Sequence, residues 1–541
     1  MQQIIECVPN ISEGRNETVI KAIAHSVKKI PGVRLLDIDP GAATNRTVIT
    51  FVGDAHSVVD AAFVLISKAY ELIDMSTHSG EHPRFGAVDV CPFIPVSNAT
   101  MEDCIDCAQR LAKRVGEELK LSGYLYENAA TQEERRNLAN VRSGEYEGIA
   151  KKIIKPEWKP DFGPTTFNPK YGLTAISARD FLVAYNVNLN TTSTRRANAI
   201  AFDIREAGRA LRIPGKLKAC KAIGWYIEEY GIAQISVNLT NINITSVHEC
   251  FEATSDSAIE RGLRVTGSEL VGLIPLNAML DAGKYFLKKQ QRSTGIAESE
   301  IIKIAIKSLG LDELSPFDPQ KKIIEYILAS GSDQQLVQNS LAGFVDETAS
   351  ESPAPGGGSI AAYVGSLGAA LGTMVANLSA HKRGWDDRWE EFSNWAEKGQ
   401  SIQNRLLFLV DEDTRAFNKI IEAIRLPKSS ADEKAKRKQA IEAATKFAIE
   451  VPYQVMETAF DSMELLKAMA EIGNPNSVSD AGVGALCART AVLGAYLNVQ
   501  INCKDLGDEK YVDQMLNKAK ELAAKTEVTE KEILEVVQGK L

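Results

Sequence analysis

The stretch SIAAYVGSLGAALGTMVANLSA, residues 359–380, decides how the second half of this 541-residue chain folds. It holds no charged residue and is long enough to cross a bilayer. Its large apolar residues, Ile360, Val364, Leu367, Leu371, Met374, Val375 and Leu378, fall on one helical stripe, and Ala361, Gly365, Gly368, Ala369 and Gly372 fill the other face. A lipid-facing helix is apolar all round. The spacing therefore predicts a buried helix whose small face lets a neighbouring backbone come close. No other stretch reads as a candidate span.

Working outward, NPNSVSDAGVGALCARTAVLGAYLNVQINC (474–503) is a second glycine- and alanine-rich helical pattern, suited to packing its small residues against the first. Asn498 and Asn502 lie one helical turn apart, placed to hydrogen-bond a planar heterocycle or to satisfy each other. From Leu336 the chain reads as helices to its end, with capping boxes expected at Ser430/Glu433 and Thr529/Glu532. Before Ser330 the pattern alternates. RLLDID (34–39), RTVITFVG (46–53), CPFIPV (91–96), FLVAYNVNLN (181–190) and AQISVNLTN (233–241) are strand-like. Ser57–Asp74, Met101–Leu121, Asn198–Ala210 and Ser246–Gly262 are helical, the last opening on a capping box at Ser246/Glu249. The expected architecture is multidomain: two α/β (α+β sandwich-like) subdomains at 1–180 and 181–328, a linker at 329–335, and an all-α helical domain at 336–541.

Composition narrows the function classes. Apolar residues make up 44% and charged residues 25%, which excludes a disordered scaffold. A net charge of -9 argues against a general nucleic-acid binder. The 8 cysteines are too sparse for a disulfide framework, so reduced thiols and a cytoplasmic setting are expected. The start, MQQIIECVPN, has no basic segment followed by an apolar core, so no signal peptide is expected.

The chemistry-bearing residues cluster in a few segments. THSGEHPRFGAVDVCPF (77–93) places His78 and His82 beside Arg84 and Asp89 in a glycine-containing loop. A histidine there suits a general base, and Arg84 suits a carboxylate. A third metal ligand is not near the histidines, so no metal is expected. Cys104 and Cys107 read as buried helix cysteines. VPNISEGRN (8–16) reads equally as an anion-binding turn or a helix cap. SPAPGGGSIAAY (352–363) carries Gly356, Gly357, Gly358 and Ser359 at a helix start, where backbone amides favour negative charge. In LVDEDTRAFNK (409–419), Asp413 shares a helical face with Phe417 and Ile420 and so points to the apolar side, where burial raises a carboxyl pKa. Asp411 and Glu412 fit a solvated acidic run better. Asp480 stands at the start of the second small-residue helix.

Taken together, CVPNISEGRN (7–16), HSGEHPRFGAVDVCPFIPV (78–96) and the loop 163–172 resemble the formiminotransferase domain. PAPGGGSIAA (353–362), LVDEDTRAFN (409–418) and SVSDAGVGA (477–485) resemble the cyclodeaminase domain. Their order and the overall length are similar to the bifunctional formiminotransferase-cyclodeaminase family of histidine degradation. The resemblance implies transfer of a formimino group from N-formimino-L-glutamate to tetrahydrofolate, a polyglutamylated co-substrate. Ring closure of 5-formiminotetrahydrofolate to 5,10-methenyltetrahydrofolate and ammonia would follow.

By resemblance His82 is the transferase base, and the folate loop is Gly163, Pro164, Thr165, Thr166, Phe167, Asn168, Pro169, Lys170, Tyr171 and Gly172. The cyclodeaminase acid falls in the DED run; the helical face favours Asp413, with Asp411 open. Asp39 is a candidate for holding the cationic amidine, and Arg46 and Arg84 for the glutamate carboxylates. Gly356, Gly357, Gly358, Ser359 and Asp480 are expected to form the cyclodeaminase pocket. Positive potential is expected locally despite the negative total. The family also implies a homo-oligomer, dimers assembling into an octameric ring. Two other readings stand beside this one: a helical half that is a methenyltetrahydrofolate cyclohydrolase, and a folate-binding scaffold without turnover.

Overall fold

The computed structural model describes residues 3–42, 44–80, 84–209, 213–329 and 336–541. The expected linker, 329–335, therefore lies almost wholly outside the described residues. The chain forms two compact units, Met1–Ala278 with Leu309–Ser330 and Met279–Ser308 with Gly331–Leu541.

The first unit holds two sheets. β1 (Ile4–Cys7) and β2 (Asn10–Ile11) run antiparallel between β4 (Arg46–Gly53) and β5 (Val88–Ser97), and β3 (Arg34–Gly41) pairs outside β4. β6 (Gly123–Glu127) and β7 (Thr174–Ala178) extend the sheet by parallel pairing with β5. Alternation along the strands sorts the two faces. Ile5, Cys7, Ile49, Phe51, Cys91 and Phe93 join the core beneath the helices α1 (Glu17–Ala24), α2 (Ser57–Leu72) and α3 (Met101–Glu118). Cys104 and Cys107 are buried in that core, on the inner face of α3. Glu6, Val48, Thr50, Val90 and Pro92 turn to the opposite face. There α4 (Leu138–Arg142) and α5 (Glu145–Lys152) cover part of it.

The second sheet has the order β11-β8-β10-β9 and is antiparallel throughout: β8 (Val183–Leu189), β9 (Cys220–Ile227), β10 (Ile232–Leu239) and β11 (Val265–Val271). α6 (Thr194–Ile204) and α7 (Val247–Ile259) pack on its apolar face, and α7 opens with the expected Ser246/Glu249 capping box. α8 (Leu276–Lys289) and α9 (Glu298–Leu309) follow, then the short α10 (Pro319–Lys322) and α11 (Ile324–Ala329).

Beyond residue 340 the chain is helical throughout: α12 (Leu341–Thr348), α13 (Gly357–Ala380), α14 (Trp389–Arg425), α15 (Ala431–Ile472), α16 (Val478–Cys503) and α17 (Glu509–Gln538). α13 packs closely on α14, α15 and α16 through its small residues. A Cβ on Gly368 would stand 2.8 Å from the Gly484 carbonyl oxygen, and one on Gly372 2.9 Å from Leu465 Cδ2. The small face is thus the buried one, as the spacing predicts.

Several sequence expectations are corrected here. The large residues of α13 are not all buried: Leu367, Met374 and Leu378 are 45%, 38% and 46% exposed. Glycine contacts with neighbouring helices fill the interior and turn the bulky stripe outward. Two helices, Gly357–Ala380 and Pro475–Cys503, are long and apolar enough to cross a membrane, where one was expected. Their small faces pack against each other. Ser430 and Glu433 form their capping box, but Thr529 lies inside α17, where its hydroxyl donates to the Lys525 carbonyl at 3.0 Å. Asn498 and Asn502 do not satisfy each other; their amides donate to the Gly494 and Ala448 carbonyls.

Candidate active sites

In the first unit, a cavity of about 440 Å³ opens on the face of the seven-stranded sheet away from α2 and α3. Its strands contribute Glu6, Asn10, Asp39, Arg46 and Tyr126, and Arg142, Arg179, Lys221 and Asn238 reach it from later segments. Asp89, only 2% exposed, organises the guanidinium groups. Arg142 donates to both its carboxylate oxygens, Nε at 3.0 Å to Oδ1 and Nη2 to Oδ2, and Arg46 Nη2 stands 3.1 Å from Oδ2. Arg46 Nε also donates to Asn10 Oδ1 at 3.0 Å, which ties the VPNISEGRN segment to the cavity. A forked pair of this kind holds guanidinium groups in a fixed direction. Four cations against Glu6 and Asp39 make the lining rich in positive charge within an acidic chain. Burial pushes Glu6 up to about pKa 7, with Arg179 opposing the shift.

The other sequence-predicted residues of this half lie around a neighbouring structure. His82 lies outside the described residues. Its flank is anchored: His78 Nε2 meets the Asn45 carbonyl at 2.9 Å, Asn45 Nδ2 donates to the Ser79 carbonyl, and the Gly14 amide donates to Asn45 Oδ1. His78 Nδ1 is buried without a partner among the described residues. The segments around residues 14, 45 and 79 therefore meet at one place, beside the strand ends that carry Asp39 and Arg46.

Arg84 does not line the cavity. Its guanidinium pairs with Glu147 at 2.5 Å, donates to the Met75 carbonyl and lies 4.7 Å over the Tyr146 ring. Tyr146 in turn contacts Phe167 edge-on at 5.5 Å and donates to the Pro169 carbonyl at 2.5 Å. Arg84 thus braces the 163–172 loop.

Gly163 and Gly172 bound that loop at φ +77° and +79°, and a Cβ on either would collide with a carbonyl oxygen, of Leu121 or Phe85. These two positions need glycine. Gly163 and Pro164 border a separate cleft beside Lys113, Lys120 and Asp161. Tyr171 is fully buried, with its hydroxyl against Thr174.

In the helical unit, α14 delivers Asp413 to the first turn of α13. Ser359 donates to Asp413 Oδ2 twice, from its amide at 2.8 Å and its hydroxyl at 2.9 Å. Burial raises the Asp413 pKa, and the two Ser359 bonds oppose the rise. Gly357 lies beside the Asn498 side chain. Asp411 is not part of a solvated run: its carboxylate accepts the Leu336 amide at 2.8 Å, and burial raises its pKa too. Glu412 instead pairs with Arg415. Asp480 does not join Gly356, Gly357, Gly358 and Ser359 within one chain. α13 and α16 are antiparallel, Gly357 against Asn498 and Gly368 against Gly484, so Asp480 lies about 27 Å further along α16 than Asn498.

Sequence reasoning missed Glu6, Arg142, Arg179 and Lys221. Glu6 had a signal, as the sole charge in the apolar run IIECV; Arg142 and Lys221 had none, because they come from segments distant along the chain. No group of three or more His, Cys, Asp and Glu able to hold a metal is present among the described residues.

A sheet-built unit with a cationic cavity, and a helical unit with a buried carboxylate at a helix N-terminus, define an enzyme architecture with two separate sites. Three family models match in order: the formiminotransferase domain, N-terminal subdomain, at residues 4–179, the formiminotransferase domain at 184–329, and formiminotransferase-cyclodeaminase at 340–521. The chain is 46% identical to a formimidoyltransferase-cyclodeaminase from Gallus gallus, over 97% of this chain and 98% of that one. A glutamate formimidoyltransferase from Streptococcus pyogenes is 44% identical over 53% of this chain and 94% of its own length. A methenyltetrahydrofolate cyclohydrolase from Methylorubrum extorquens is 35% identical over 37% of this chain and 95% of its own. The chain belongs to the formiminotransferase-cyclodeaminase family.

Proposed function

We propose that the chain is a bifunctional folate enzyme. It transfers the formimino group of N-formimino-L-glutamate to tetrahydrofolate, then cyclodeaminates 5-formiminotetrahydrofolate to 5,10-methenyltetrahydrofolate and ammonia. The observation that carries the first reaction is the cavity of Glu6, Asp39, Arg46, Arg142, Arg179 and Lys221. Formiminoglutamate bears two carboxylates and a cationic amidine, and the lining supplies guanidinium groups for the former and Asp39 for the latter. The folate nitrogen attacks the formimino carbon and must lose a proton, the role read for His82. Tetrahydrofolate enters as a polyglutamylated co-substrate, with the 163–172 loop, braced by Arg84 and Tyr146, as its binding element.

In the second reaction ammonia leaves, and an acid must protonate it. Asp413 is the reading for that acid, because burial favours its protonated form and Ser359 orients it. Asp411 remains the neighbouring alternative. The relative from Methylorubrum extorquens favours a second reading for the helical half, hydrolysis of the methenyl bridge. One assay separates these readings: purified protein with formiminoglutamate and tetrahydrofolate should yield methenyltetrahydrofolate absorbance with equimolar ammonia. Hydrolysis of supplied methenyltetrahydrofolate without ammonia would favour the second; neither product would leave only a binding scaffold.

The same reading includes the segmentation 1–180, 181–328 and 336–541, which the three family-model matches support. It includes a homo-oligomer, dimers forming an octamer. Support comes from exposed apolar side chains on the helical unit: Leu367, Met374 and Leu378 of α13, and Val483, Leu486 and Leu497 of α16. Exposed apolar side chains in this number suit an interface. A cytoplasmic location is the further reading, which eight free cysteines suit.

A further inference from the structure

β1 carries one charged residue. Ile5 and Cys7 enter the core under the helices, so alternation turns Glu6 to the other face, where it is 3% exposed and lines the transferase cavity. No hydrogen bond among the described residues reaches its carboxyl; distant charges act on it, Arg179 lowering and Glu325 raising its proton affinity. A buried carboxyl without a partner costs free energy. Its place in the cavity lets a ligand supply that partner.

We propose that Glu6 is the acid that protonates the departing glutamate nitrogen during formimino transfer. The inference rests on the transferase reading above. The folate nitrogen forms its bond to the formimino carbon, and the bond from that carbon to the glutamate nitrogen breaks. The bonding pair goes to that nitrogen, and the Glu6 proton goes with it. The products are the free amine of glutamate and a Glu6 carboxylate, which the proton lost by the folate nitrogen restores through solvent.

The role also fits the proton balance of the site. Burial holds the Glu6 carboxyl protonated to about pH 7, so it has a proton to give near neutrality and gives it up readily. The other acid of the cavity, Asp39, is only partly buried. Arg179 after β7 and Glu325 on α11 act on Glu6, and the other charged groups that line its cavity are Asp39 on β3, Arg46 on β4, Arg142 on α4 and Lys221 on β9, with Tyr126 on β6.

The test is Glu6→Gln in the full chain, assayed beside the wild type across pH. Transfer should fall about 100-fold or more. The wild-type rate should decline above about pH 7, and this alkaline limb should be absent from the variant. Cyclodeamination of supplied 5-formiminotetrahydrofolate should be unchanged. Glu6→Gln with the wild-type rate and the same alkaline limb overturns the proposal alone; a wild type that transfers nothing overturns the transferase reading and the proposal together. Should Glu6→Gln not fold, Glu6→Asp decides: a slower enzyme that keeps an alkaline limb supports the role, and an unchanged rate or a missing limb overturns it.

Discussion

Asp413 on α14 accepts both the amide and the hydroxyl of Ser359 on α13, at 2.8 and 2.9 Å. A carboxylate at a helix N-terminus is stabilised by the unpaired amides there. The same residue is half-buried, and burial disfavours its charge. Burial thus raises the Asp413 pKa against the two Ser359 bonds, and the neighbouring helix sets the direction of the carboxyl.

Asp413→Asn should lower cyclodeaminase turnover by about 100-fold or more. Formimino transfer should be kept, so 5-formiminotetrahydrofolate should accumulate. Separate assay of the two steps checks this. Ser359→Ala removes one hydrogen bond to the ionised form, so the Asp413 pKa should rise further. As the protonated acid is the active form, the alkaline limb of the cyclodeaminase profile should move to higher pH.

Gly358→Ala should damage the same step. An added Cβ would stand 2.2 Å from Asp413 Oδ1, so the carboxylate must leave Ser359. Loss of cyclodeaminase rate with an unchanged transferase rate is the expected result.

Asp89 holds Arg46 and Arg142 together while nearly excluded from water. Asp89→Asn leaves two guanidinium groups facing each other without their shared counter-charge. Breaking a buried pair costs about 3 kcal/mol. Urea unfolding should show a loss of that order, and KM for formiminoglutamate should rise because both guanidiniums lose their fixed direction.

Glu6 also makes stability depend on pH. It keeps its proton to about pH 7 in the folded chain and to the ordinary 4.5 when unfolded. Between these values the folded state binds more protons, so stability falls as pH rises and the loss is complete above about 7. The span corresponds to about 3 kcal/mol. Glu6→Gln should lack this slope, and urea midpoints of the two proteins should diverge from pH 5 to 8 in favour of the variant.

Leu367→Glu and Leu486→Glu place charge on the exposed apolar face of α13 and α16. Light scattering should show a smaller assembly than the wild type, with unchanged helical content by circular dichroism.

Much of the architecture was legible locally. The change from β-branched alternation to helical periodicity near residue 330 placed the all-helical part, and capping boxes at Ser246 and Ser430 follow from side-chain chemistry within one turn. Thr529 misled because the same residue pattern occurs inside a continuous helix, where Lys525 takes its hydroxyl. The outward stripe of α13 was illegible because pattern says which faces differ, and packing partners decide which face is buried. The sequence offers Arg84 to a substrate carboxylate, but Glu147, 63 residues away, claims it.

The sequence by itself determined the order of elements, the small-residue faces of α13 and α16, and the family motifs, because each depends on residues within a few turns of one another. Tertiary structure decided which charges share a site. It brought Glu6, Arg46, Arg142 and Arg179 to one cavity, joined Ser359 to Asp413 and kept Asp480 apart, because strand order and antiparallel helix packing set those distances and no spacing along the chain encodes them.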